Sequence, residues 1–195
     1  MKKRIARLIS NVFNPFCITV VIMILLSFKN AASVADALKW TAISLAISVL
    51  PVLVAVTWLV KRKKLDAYYD NTRKQRYGVY ILASVLGAIG CGLMWGLKAP
   101  ELLAVTFTAG FAELVVFMGI NFYWKISLHM AFVAGAATIL CLVYGVIALW
   151  TLVFLPMVAW ARIQLKQHTI TQVAAGAVLA GAIVAVIFAG FGLVV

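Results

Sequence analysis

Seven times along its 195 residues the chain enters an apolar run of the length a bilayer demands, at 12–28, 39–60, 78–97, 100–120, 127–145, 146–161 and 170–194. A hydrocarbon core about 30 Å thick takes roughly 20 mostly apolar residues per helix, because inside it every backbone N–H and C=O must be satisfied within the segment. The recurrence predicts an all-α fold, a polytopic transmembrane helix bundle of seven helices. The number falls to six if the fifth and sixth runs merge, since only Tyr144 and Gly145 mark a turn between them. With 66% hydrophobic and 11% charged residues, the chain is excluded from the ordinary soluble classes and reads as a single membrane domain, 1–195. Pro100 is a clean break, because proline disfavours helix at the residue before it and commonly opens the next one. The Gly and Ala of the last runs suit close helix packing.

Charge sets the expected topology. With seven crossings, 14 of the 17 Lys and Arg fall on one face: Lys2, Lys3, Arg4, Arg7, Lys61, Arg62, Lys63, Lys64, Arg73, Lys74, Arg76, Lys125, Arg162 and Lys166. Lys29, Lys39 and Lys98 fall opposite. The positive-inside tendency places the N-terminus and the basic face in the cytoplasm and the C-terminus on the other side. The basic stretch 1–7 before an apolar run has the outline of a cleavable signal, and is expected to be retained with the first helix. A net charge of +12 raises the question of nucleic acid, yet the cations sit beside helix ends with no soluble nucleic-acid-binding module; membrane lipids with anionic headgroups are the nearer partner. Lys61 to Lys64 read as a helix-end anchor. Cys17, Cys91 and Cys141 each lie inside an apolar run and are expected to be small buried hydrophobes rather than disulfide or zinc ligands.

Polar chemistry is scarce, so its placement is informative. The chain has two histidines, His129 and His168, and each falls at the border between a polar linker of the basic face and an apolar run. Around His168 runs A-R-I-Q-L-K-Q-H-T-I-T-Q-V-A-A-G, from 161 to 176, and around His129 runs K-I-S-L-H-M-A, from 125 to 131. If the two share a depth in the bilayer, they face one another.

These stretches resemble the type 2 phosphatidic acid phosphatase superfamily. Its third motif is Ser-Arg, five residues, His, three residues, Asp; Arg162, His168 and Gln172 reproduce that spacing, and Val173 and Gly176 match its usual continuation. Its second motif, Pro-Ser-Gly-His, is matched at Ser127 and His129, and the interval from His129 to Arg162 suits the family's pair of helices between motifs. Of the first motif a basic cluster remains at Arg73, Lys74 and Arg76, with Tyr69 and Tyr77 where the family has Lys and Pro. The resemblance covers roughly 60–190, a phosphatase-like core. It implies a lipid phosphatase, with His168 as the nucleophile that forms a phosphohistidine, His129 as general acid and Arg162 as a phosphate ligand. Arg73, Lys74, Arg76, Lys125 and Ser127 are further phosphate-binding candidates. Guanidinium and ammonium groups suit a phosphoryl anion, and neutral imidazole is a competent nucleophile near neutral pH. The scheme needs no metal and no cofactor.

Gln172 stands where the family has its orienting aspartate; an amide fixes a histidine tautomer without stabilising the charge that forms on the ring. If His168 opens the last helix, Gln172 lies one turn on, on the same face, where its carbonyl can accept the ring N–H. Glu113, deep in the fourth run, is a candidate substitute carboxylate and needs a partner there: a motif cation, a histidine, or a proton or water of its own. Tyr77, Tyr123, Trp124 and Trp160 flank the same linkers as interfacial anchors. The implied substrate is a phosphomonoester or diphosphate on an apolar tail, such as a prenyl diphosphate, a polyprenyl phosphate or phosphatidic acid. A non-catalytic protein of the same fold that binds or moves a lipid phosphate is the alternative, and a small transporter with Glu113 as an ion site is a third.

Overall fold

A computed structural model describes residues 1–66, 72 and 75–193, and among these every regular element is helical. The elements are α1 (Lys2–Val12), α2 (Pro15–Asn30), α3 (Val34–Lys61), α4 (Arg76–Gly96), α5 (Glu101–Asn121), α6 (Leu128–Tyr144), a 3₁₀ segment (Gly145–Val153), α7 (Phe154–Gln164) and α8 (Ile170–Gly190). The architecture is a polytopic helical bundle. Five helical runs are long and apolar enough to cross a membrane, and a sixth follows when α1 and α2, which meet at a bend of 43°, count as one span.

The chain divides into two compact units. One comprises Met1–Thr19 and Lys125–Val195, and the other Val20–Trp124. In the second unit α4 packs against both α3 and α5. Tyr77 stacks on Phe122 with ring centroids 5.1 Å apart, so the start of α4 meets the end of α5. Further along, the Trp95 indole N–H donates to Thr108 Oγ1 at 3.1 Å, so the two helices run antiparallel. The helix α3 begins at Val34, five residues before the apolar run that announces it at 39. Ser33 caps it by accepting from the Asp36 N–H at 3.2 Å, and Asp36 pairs with Lys39 at 2.6 Å in the first turn.

In the first unit the Leu128–Gln164 run, 37 residues long, does not continue in one direction. Met130 and Val133 near its start share a core with Val158 near its end. The reversal falls at Gly145, whose φ of 64° and ψ of −145° lie where a side chain clashes with its own backbone. The two legs are the fifth and sixth runs of the sequence. Each is short, and the 3₁₀ winding compensates for this on the return. At about 2.0 Å per residue the nine-residue 3₁₀ segment covers about 18 Å, and α7 adds about 16 Å. The sequence favours that winding. Its turn repeats every three residues, and Gly145, Ala148 and Thr151 put small residues on one face, with Ala148 and Thr151 buried. The Thr151 hydroxyl donates to the Ala148 carbonyl at 2.7 Å, three residues back.

Helices α3, α4 and α7 end alike. Each closes with a six-to-one and a five-to-two backbone bond, as in Lys64 N–H to Leu59 O at 2.9 Å and Lys63 N–H to Val60 O at 2.9 Å. The residue in the left-handed region is each time a lysine, Lys63, Lys98 or Lys166, with φ of 56°, 52° and 57°. Glycine usually takes that place, since other residues pay about 1–2 kcal/mol for it. A cation there faces the negative end of the helix dipole.

Two expectations are corrected. Cys17 is not a buried hydrophobe: it is exposed on α2, and its sulfur accepts from Asn14 Nδ2 at 3.0 Å; Cys91 and Cys141 are half-buried. The basic stretch at the start, expected to go with the first helix, instead lies in a helix of its own, α1, which meets α2 at a bend of 43°.

Candidate functional site

Five buried polar residues of the first unit, Ser10, Ser127, His129, Arg162 and His168, lie on four of its chain segments: α1, the start of α6, the end of α7 and the start of α8. The close of α7 sets up His168. The Gln167 N–H bonds to Arg162 O at 3.1 Å and the Lys166 N–H to Ile163 O at 2.9 Å, which turns the chain sharply out of the helix. His168 follows, buried, and Thr169 caps α8. The cap is reciprocal: Thr169 Oγ1 accepts from the Gln172 N–H at 3.3 Å, and Gln172 Oε1 accepts from the Thr169 N–H at 3.2 Å.

That cap fixes the histidine. Because a backbone N–H can only donate, the Gln172 atom facing it is the amide oxygen. The same oxygen lies 3.1 Å from His168 Nδ1, which must therefore carry a proton. In the neutral ring the other nitrogen, Nε2, is then the one that holds the lone pair, the form a nucleophilic imidazole requires.

Arg162 and His129 are each only 1% exposed, and both meet Ser10 of α1. Arg162 Nη1 donates to Ser10 Oγ at 2.6 Å. His129 Nε2 lies 3.4 Å from that hydroxyl and 3.2 Å from the Ser10 carbonyl oxygen. A carbonyl only accepts, so the second contact is a hydrogen bond when Nε2 carries the proton. Ser127, the residue before α6, donates its N–H to Gln172 O at 3.4 Å, which holds the start of α6 against the start of α8. The approach is as tight as a backbone permits: a Cβ on Gly176 would stand 2.7 Å from Ser127 O. Ser127 Oγ is buried with no hydrogen-bond partner among the described residues, an arrangement that costs about 1–3 kcal/mol. Met130, Val133, Val158 and Val173 form an apolar core just behind these groups.

Of the expected residues, His129 and Arg162 thus meet at Ser10, His168 and Gln172 meet at the start of α8, and Ser127 joins the start of α6 to Gln172 through its backbone N–H. Lys125 is half-buried two residues before Ser127. Arg76 and Glu113 belong to the second unit. Arg76 opens α4 and is buried; Glu113 is buried in α5, and its Oε1 has no hydrogen-bond partner among the described residues. Arg73 and Lys74, like Tyr69, lie outside the described residues.

Ser10 and α1 escaped the sequence reading. The signal was present, because Ile5, Leu8, Ile9 and Val12 repeat at helical spacing, but the charges between them keep the stretch from standing out as an apolar run.

No protein-family model, no curated protein and no solved structure matches this chain.

Proposed function

We propose that the cluster in the first unit is the phosphate site of a membrane-embedded lipid phosphatase that resembles the type 2 phosphatidic acid phosphatases. The observation that carries this reading is the placement of Gln172 Oε1, which accepts from the Thr169 N–H and lies 3.1 Å from His168 Nδ1, so that a neutral His168 would keep its lone pair on Nε2. In the reaction that lone pair attacks phosphorus, the bond from phosphorus to the lipid or diphosphate oxygen breaks, and His129 protonates the leaving oxygen. Water then cleaves the phosphohistidine and releases phosphate. Arg162 neutralises charge gathering on the phosphoryl oxygens, a role in which a guanidinium with little water around it is most effective. Ser127 Oγ adds a short-range donor. The substrate class is a phosphomonoester or diphosphate on an apolar tail, which enters sideways between helices.

Phosphate release by the purified, detergent-solubilised protein from farnesyl diphosphate, undecaprenyl phosphate and phosphatidic acid tests the reading. Release is expected from wild type and should vanish in His168→Ala. Release that persists in the variant overturns the assignment of the nucleophile. If a folded wild-type protein releases nothing, the second reading takes its place: a binder or carrier of lipid phosphate on the same fold. One observation favours that alternative, namely an amide rather than a carboxylate beside His168.

A further inference from the structure

The helix α1 has three distinct faces. At 100° per residue, Ala6, Ile9, Ser10 and Phe13 share one side; Ala6 and Ser10 are buried, while Ile9 and Phe13 pack on the Met130–Val133–Val158–Val173 core. Ile5, Leu8 and Val12 form a second stripe and are 46%, 64% and 54% exposed. Lys3, Arg4 and Arg7, with Asn11, form the third, also exposed, and no acidic residue occurs anywhere in the helix.

Depth follows from the hydrogen bonds. Ser10 meets Arg162 in the last turn of α7 and His129 in the first turn of α6, so α1 lies at the level where membrane legs end. An 11-residue helix is about 16 Å long, half a hydrocarbon core, so α1 does not cross by itself. Asn14 holds the bend that turns α1 off the line of α2: its Nδ2 donates to Asn11 O at 2.5 Å, and its Oδ1 accepts from the Cys17 N–H at 3.0 Å.

We propose that the outer surface of α1, cationic along Lys3, Arg4 and Arg7 and apolar along Ile5, Leu8 and Val12, is a docking surface for an anionic phospholipid leaflet. The cations take headgroup phosphates, and the apolar stripe enters the top of the acyl chains, the arrangement that suits a helix lying in the interface. The inner edge meanwhile stays on Arg162 through Ser10. The leaflet and the candidate site therefore hold opposite sides of one helix.

The test uses the full chain in nanodiscs of phosphatidylcholine, with and without phosphatidylglycerol, and reads amide hydrogen exchange over residues 4–12. Exchange is expected to slow about tenfold when the anionic lipid is added, and to return toward the neutral-lipid rate in high salt or in the triple variant Lys3→Gln, Arg4→Gln, Arg7→Gln. That variant leaves the buried face of α1 untouched. Equal exchange in both discs, or slowing that survives the triple variant, overturns the proposal. A spin label at Leu8→Cys, in a background with the native cysteines replaced by serine, should collide with dissolved oxygen more than with a water-soluble nickel chelate. The opposite preference also overturns it. Neither readout requires turnover, so this proposal and the phosphatase reading fail separately.

Discussion

Gln172 serves two donors with one oxygen, the Thr169 N–H and His168 Nδ1. Gln172→Glu keeps the length needed for the cap and places a full negative charge against the ring, exchanging a neutral hydrogen bond for a charge-assisted one. The difference, about 1.4 kcal/mol, corresponds to about tenfold faster phosphate release in steady-state turnover on farnesyl diphosphate. Gln172→Leu should remove both bonds, lower the thermal stability by about 1 kcal/mol for the lost cap, and depress turnover. This pair was legible in the sequence because it is local: four residues on a helix put Gln172 beside His168, whatever the rest of the fold does. Ser10 was not, since its contacts with His129 and Arg162 span 119 and 152 positions, and no spacing rule reaches that far.

Helix ends carried more information than helix interiors. The turn at Tyr144 and Gly145 and the break before Pro100 stand in the sequence as the residues that backbone sterics demand. The 3₁₀ winding of Gly145–Val153 did not stand out, because a three-residue rhythm of small side chains inside a uniformly apolar run leaves hydropathy unchanged. Gly145→Ala should cost about 1–3 kcal/mol of stability, since alanine pays for a backbone conformation that glycine adopts freely. The lysines in the left-handed region should respond the other way: Lys98→Gly relieves about 1 kcal/mol of strain, less whatever its charge contributes at the helix terminus. Thermal unfolding in a single detergent checks both signs, and stabilisation by the Gly145 substitution would remove the argument for the hairpin.

For the molecule as a whole, the helical membrane character was the most readable property, because it depends on the length and composition of apolar runs rather than on contacts, and the placement of the 17 cations beside helix ends leads to a topology that can be tested. A reporter fused after Val195 is expected on the side of the membrane opposite the cytoplasm; a cytoplasmic reporter would overturn either seven crossings or the proposed orientation. The division into two units had no counterpart in the sequence, since Met1–Thr19 joins Lys125–Val195 by packing across more than a hundred intervening positions. The hairpin return leg makes membrane thickness a variable in the energetics of the first unit. Rewinding its nine 3₁₀ residues as α-helix would shorten the leg by about 4.5 Å, comparable to the few-ångström differences between cellular membranes. The α6 leg, already α-helical, has no matching slack, so the two legs of the hairpin differ in how far their length can adjust.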